Sequence, residues 1–175
     1  MTSPIVHMAA MGAVTSLLAP TTILATRHRL RWTLLRLPSA VALVGFLVLH
    51  AAVVLSDRDT LDLPGLALHA ALFLGAVAFW LPVLGVNRLD EGLRAGYLFL
   101  AAPSLDLPAV VTVARGDSAG GLAMIVAMAP IGITAVVLAW RWMIAEDRMA
   151  ETSTRLMGPE LDSAAGFRDI GQPGQ

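Results

Sequence analysis

Five long apolar stretches, at about 4–26, 37–56, 64–86, 93–114 and 119–143, constrain this chain more than any other feature of its sequence. Each approaches the roughly 20 residues that a helix needs to cross the ~30 Å hydrocarbon core of a bilayer. Inside lipid every backbone polar group must be satisfied within the protein, which leaves helices or closed barrels. Uninterrupted apolar runs of this length are typical of helices. The sequence therefore predicts an all-α integral membrane bundle of about five transmembrane helices.

The composition supports the same class of protein. Hydrophobic residues make up 57% of the 175 residues and charged residues 14%, whereas a soluble domain carries about a quarter charged residues. The net charge of −1 gives no basic surface for a nucleic acid. The absence of cysteine excludes disulfides and thiolate ligands. We expect one transmembrane domain over residues 1–146 and a polar, disordered cytoplasmic tail over 147–175.

The distribution of arginine predicts the orientation of the bundle. Ten of the twelve arginines fall in or directly beside the first and third loops or around and after the end of the last apolar stretch, and two fall in the other loops. Because arginine-rich loops stay in the cytoplasm, the N-terminus is expected outside and the C-terminus inside. Tryptophans at positions Trp32, Trp80, Trp140 and Trp142 would then lie at or near the cytoplasmic interface, as an aromatic belt does.

The residue usage also indicates a source. The twelve basic side chains are all arginine and none is lysine, and alanine and glycine are abundant. This bias is typical of GC-rich bacterial genomes. The expected location is therefore a bacterial plasma membrane that the chain crosses several times.

Three histidines, His7, His50 and His69, lie inside the apolar stretches, where ionisable side chains are costly and rare. Counted at about 1.5 Å per helical residue, all three fall in the outer third of the membrane, level with Asp117 and Met124. Imidazole and thioether ligands together suit copper, Cu(I) above all, and neither brings charge into the lipid. The sequence predicts a metal site drawn from these five residues, with copper as the metal. Imidazole also binds zinc and iron, so the ligand types alone leave the metal open.

A structural role is the alternative for each of these side chains. A membrane histidine commonly hydrogen-bonds a neighbouring helix, and a membrane methionine commonly only packs. Asp106 lies between Pro103 and Pro108, so we expect it to satisfy backbone groups of a broken helix, with a proton relay as the sharper alternative. The sequence contains no phosphate loop, nucleophile elbow or HExxH motif, so an enzyme is not expected.

Three stretches of the chain carry a family resemblance. Residues 7–20 begin with His-Met and end with Ala-Pro, residues 69–85 read HAALFLGAVAFWLPVLG, and residues 117–148 begin DSAGGLAM and end Glu-Asp-Arg. These stretches resemble helices of the CtaG-type cytochrome c oxidase assembly family of bacterial membrane proteins. The chain departs from the family pattern where second histidines are expected, because Met11 and Gly65 occupy those positions.

The resemblance implies a protein that assists the assembly of a respiratory haem–copper oxidase, or delivers copper to it, from the outer membrane face. Its partners would be the oxidase subunits and the lipid bilayer. The missing second histidines favour an alternative, a non-catalytic accessory or scaffold protein that packs against another membrane complex. A small transporter that uses Asp106 is a third interpretation, although no inverted repeat is visible in the sequence.

Overall fold

The computed structural model describes residues 4–27, 29, 32, 37–56 and 63–168, and its side chains between residues 5 and 153. In chain order its elements are α1 (Pro4–Ala13), a π-helical turn (Val14–Leu18), α2 (Ala19–Thr26), α3 (Ser39–Val54), α4 (Leu63–Leu84), α5 (Glu91–Ala114) and α6 (Ser118–Arg168). His28, most of the arginine-rich loop around it, the acidic loop at 57–62 and residues 169–175 lie outside the described part. The prediction of an all-helical protein is confirmed for the described residues.

Four helical segments are long and apolar enough to cross a membrane: Ile5–Thr26, Leu63–Leu84, Glu91–Ala114 and Ser118–Ser153. The remaining predicted span, at 37–56, forms the shorter helix α3. Its 16 residues extend about 24 Å at ~1.5 Å each, less than a ~30 Å hydrocarbon core. Length and composition thus support four spans, and α3 is shorter than the sequence predicted.

The last helix is longer than expected. We predicted that a disordered tail begins at residue 147, but α6 continues through this point to Arg168. Residues 144–151, with the sequence IAEDRMAE, contain Ala, Glu, Met and Arg, which favour helix, and no Gly or Pro. Nothing in this stretch stops the helix when the apolar run ends.

The helices pack as two groups that share α5. Helices α1 and α5 both pack along α6, while α3 packs against α4 and α5, and α2 against α4. Gly12 permits the close contact of α1 with α6, because a Cβ atom at this position would lie 2.7 Å from the Cβ of Ala127. One turn later, the Ser16 hydroxyl donates a 2.6 Å hydrogen bond to the carbonyl oxygen of Ala127. Close backbone approach of this kind is how membrane helices associate without a hydrophobic driving force between them.

A π-helical turn interrupts the first membrane segment and ties it to α4. The N–H of Ala19 donates to the carbonyl of Val14, and Pro20, one residue later, has no N–H to donate to Thr15. The indole N–H of Trp80 donates to that Thr15 carbonyl instead, at 2.8 Å. Trp80 is only 2% exposed, so its ring packs inside the protein rather than on the outer surface of the bundle. Its N–H is used to satisfy a backbone carbonyl in the core.

Candidate metal site

Two of the three membrane histidines face each other. His7 lies near the start of α1 and His69 near the start of α4, and their ring centroids are 5.4 Å apart with the ring planes inclined at 59°. Both side chains are half-buried. The two histidines therefore lie together at one end of the bundle. The sequence predicted this for His7 and His69 because both are near the same end of their helices.

A backbone contact fixes the state of the His69 ring. Its Nδ1 atom lies 2.7 Å from the carbonyl oxygen of Gly65, one turn earlier in α4. A carbonyl oxygen only accepts, so Nδ1 carries the hydrogen and donates it. In the neutral ring the other nitrogen, Nε2, then has the lone pair, and this atom is buried without a hydrogen-bond partner. A metal-binding histidine is held in this way, with one nitrogen on a carbonyl and the other free for the metal.

The pair fits a metal ion that accepts two neutral nitrogen ligands. Metal–imidazole bonds are about 2 Å long, so two nitrogens that share one metal lie within about 4 Å of each other. Ring centroids 5.4 Å apart are compatible with that separation. The unpartnered Nε2 of His69 is the observation that carries the fit.

His50 lies elsewhere in the bundle. It is fully buried on the face of α3 that packs against α4 and α5. Its ring is 5.7 Å from the ring of Phe46 and lies near the backbone of Leu105, but neither of its nitrogens has a hydrogen bond of good geometry. We expected His50 to join the other two histidines. The α3 face that carries it is directed into the helix core instead.

Asp117 and Met124, the other two predicted ligands, have structural roles. The Asp117 carboxylate accepts the N–H of Gly120 at 2.9 Å and so caps the start of α6. Met124 is fully buried in the core, and its backbone approaches Gly12 of α1. Within the described part of the chain, no three or more His, Asp or Glu side chains form a group that could hold a metal. The structure thus supplies a histidine pair rather than the five-residue site.

Asp106 also differs from its expected role. Helix α5 runs without a break through Pro103 and Pro108, so the broken helix predicted around this residue is not formed. One carboxyl oxygen, Oδ1, is buried and has no hydrogen-bond partner. Asp106 therefore does not use that oxygen to satisfy the backbone.

Gly65 takes part in the candidate site, and the sequence did not indicate it. Its carbonyl oxygen orients His69, and the signal for this contact was the spacing of four residues within one helix. A side chain that hydrogen-bonds to the backbone of the preceding turn can do so whatever residue supplies the carbonyl, so the identity of that residue gives no further signal. In the sequence Gly65 stands out only as a position where the resemblance leads one to expect a histidine.

No family model, curated protein or solved structure matches the chain.

Proposed function

We propose that this protein binds copper, as Cu(I), through His7 and His69 and assists the assembly of a haem–copper oxidase by supplying the metal. The observation that carries the proposal is the arrangement of the two imidazoles. Their ring centroids are 5.4 Å apart, and the buried Nε2 atom of His69 has a lone pair and no partner. Copper is the cargo in this proposal.

The chemistry of the pair suits transfer of the ion. Imidazole is a good ligand for copper, and two neutral rings bring no negative charge into an apolar environment. The hydrogen bond from His69 Nδ1 to Gly65 keeps the ring oriented for a ligand at Nε2. Two protein ligands hold the ion less tightly than a full set does, so a partner with more ligands can remove it.

We infer that the chain spans the membrane five times, with the N-terminus outside and the C-terminus in the cytoplasm of a bacterial cell. The ten-to-two distribution of arginine supports this orientation. With the flanking residues 37–38 and 55–56, the α3 segment reaches the length of a span. Reporter fusions after residues 36 and 147 are expected to report cytoplasm. An external signal from either fusion would place the histidine pair on the wrong face for this function.

The resemblance of residues 7–20, 69–85 and 117–148 to oxidase assembly proteins supports the oxidase as the recipient. The test is the level of active oxidase in cells that carry His69→Ala, with His28→Ala as the matched histidine control. We expect oxidase activity to fall severalfold in the His69 variant alone and to recover when copper is added to the medium. Normal activity at normal protein levels would contradict copper supply.

A scaffold function is the second candidate, and one observation favours it. The described residues contain no three-ligand group of His, Asp or Glu. A scaffold would be needed for oxidase assembly without binding the metal. In that case deletion of the protein would lower oxidase activity, His69→Ala would not, and added copper would restore nothing.

A further inference from the structure

A cavity lies at the end of α4 opposite His69. It has a volume of about 110 Å³ and opens between the end of α4, the start of α3 and Trp32. Its walls are mainly apolar, with Leu37, Leu81, Pro82 and Leu89 among them. The cavity is thus placed where the helices of a membrane bundle meet the headgroup region of the bilayer.

The polar groups of this cavity are rich in hydrogen-bond donors. The indole Nε1 of Trp32 is buried and has no hydrogen-bond partner, and an indole nitrogen can only donate. Ser39 and Asn87 also line the cavity. Ser39 is the first residue of α3, whose N-terminus has no side-chain cap. Each of these groups can donate a hydrogen bond, and the Trp32 indole can only donate, which favours a ligand with acceptor oxygens.

Two arginines stand beside the cavity. A second opening shares the Gly85 and Val86 walls of the first, and Arg27 and Arg88 line it. Both arginine side chains are exposed. Among the described residues that line the two openings, none is an aspartate or glutamate. The charged residues that line the two openings are thus both arginines, and their charge complements that of a phosphate.

We propose that this cavity binds the phosphate headgroup of an anionic phospholipid, with Arg27 and Arg88 on the phosphate and the Trp32 N–H as a further donor. Basic pockets between membrane helices recognise such headgroups. The volume suits a headgroup rather than a whole lipid. Leu37 and Val86, which are 47% and 66% exposed, offer apolar surface beside the opening for the acyl chains. A free phosphate ion would make no favourable contact with that apolar surface.

The test compares lipids on the full-length protein in detergent. Native mass spectrometry measures binding of phosphatidylglycerol, with phosphatidylcholine as the neutral lipid and inorganic phosphate as the free anion. We expect phosphatidylglycerol to bind about tenfold more tightly than phosphatidylcholine and millimolar phosphate not to displace it. Equal binding of the two lipids, or displacement by phosphate at that concentration, would overturn the assignment to an anionic lipid.

Variants locate the site. The double substitution Arg27→Gln with Arg88→Gln is expected to weaken phosphatidylglycerol binding about tenfold, while Arg148→Gln, an exposed arginine on α6, leaves it unchanged. Trp32→Phe keeps the ring and removes the N–H, and we expect a loss of severalfold. An equal loss in the Arg148 variant, or no loss in the double variant and in Trp32→Phe, would show that the lipid binds elsewhere.

Discussion

The indole N–H of Trp80 donates a 2.8 Å hydrogen bond to the backbone carbonyl of Thr15 and so joins α4 to the π-helical turn after α1. His69 and Trp80 both lie on α4, and His7 lies on α1, which leads directly into that turn. The bond therefore helps to fix the height of α4 relative to α1. The facing arrangement of the two histidines depends on that height.

Removal of this hydrogen bond should destabilise the bundle. Trp80→Phe leaves the Thr15 carbonyl buried without a donor, which costs about 1–3 kcal/mol. Thermal unfolding in detergent measures the effect. Trp140→Phe is the control, because Trp140 is 65% exposed and its substitution should change stability by less than about 0.5 kcal/mol. Equal effects of the two substitutions would contradict a special role for the Trp80 bond.

The contact of α1 with α6 should be sensitive to one added methyl group. In Gly12→Ala the new Cβ would lie 2.7 Å from the Cβ of Ala127, so the helices must separate. We expect a loss of about 1–3 kcal/mol in unfolding free energy. Gly45→Ala is the matched control in α3, because no atom lies within 4 Å of its added Cβ. This control should be neutral or more stable, since alanine favours helix over glycine by about 1 kcal/mol.

Asp117 should behave as a helix cap. Asp117→Ala removes the acceptor for the Gly120 N–H and should cost about 1 kcal/mol of stability. Asp117→Ser keeps a capping oxygen and should retain most of that stability. Copper content should be the same in both variants and in the wild type. A loss of copper in both would instead return Asp117 to the metal site.

His50 should be replaceable by an apolar residue. Its ring is fully buried, and neither nitrogen has a hydrogen bond of good geometry. Substitution of a buried polar group by an apolar one of similar shape is close to neutral when no bond is lost. We expect His50→Leu to change the unfolding free energy by less than about 1 kcal/mol. A loss of more than about 3 kcal/mol would show that the imidazole holds a partner in the core.

Much of the fold could be predicted because a helix that crosses lipid needs a long run of apolar residues, which is easy to recognise in a sequence. Long apolar runs specify helices, and the ends of α4 and α5 lie within a few residues of the predicted ends. The continuation of α6 depends on helix propensity beyond the apolar run, which hydropathy does not measure. The buried position of Trp80 depends on a carbonyl released by Pro20 in a distant helix, and an interface preference cannot reveal such a contact.

The site could be predicted only in part, because counting residues gives the depth of a side chain along its helix but not the direction in which it points. Counting residues placed His7 and His69 at one level, and the structure brings them together. His50 was placed at the same level by the same count, but the structure buries it in the core, next to Phe46 of its own helix and near the backbone of Leu105 on α5. Helix rotation depends on packing, and the apolar residues of α3 surround the whole helix. The sequence therefore contains little signal for which face of α3 is buried.

The copper content of detergent-purified protein, loaded with Cu(I) under reducing conditions and measured by elemental analysis, tests the central claim most directly. We expect about one copper ion per wild-type chain, little or none in His7→Ala and in His69→Ala, and a wild-type level in His50→Leu. Wild-type protein without copper, or His7→Ala and His69→Ala variants that retain the wild-type content, would contradict a copper site at this histidine pair.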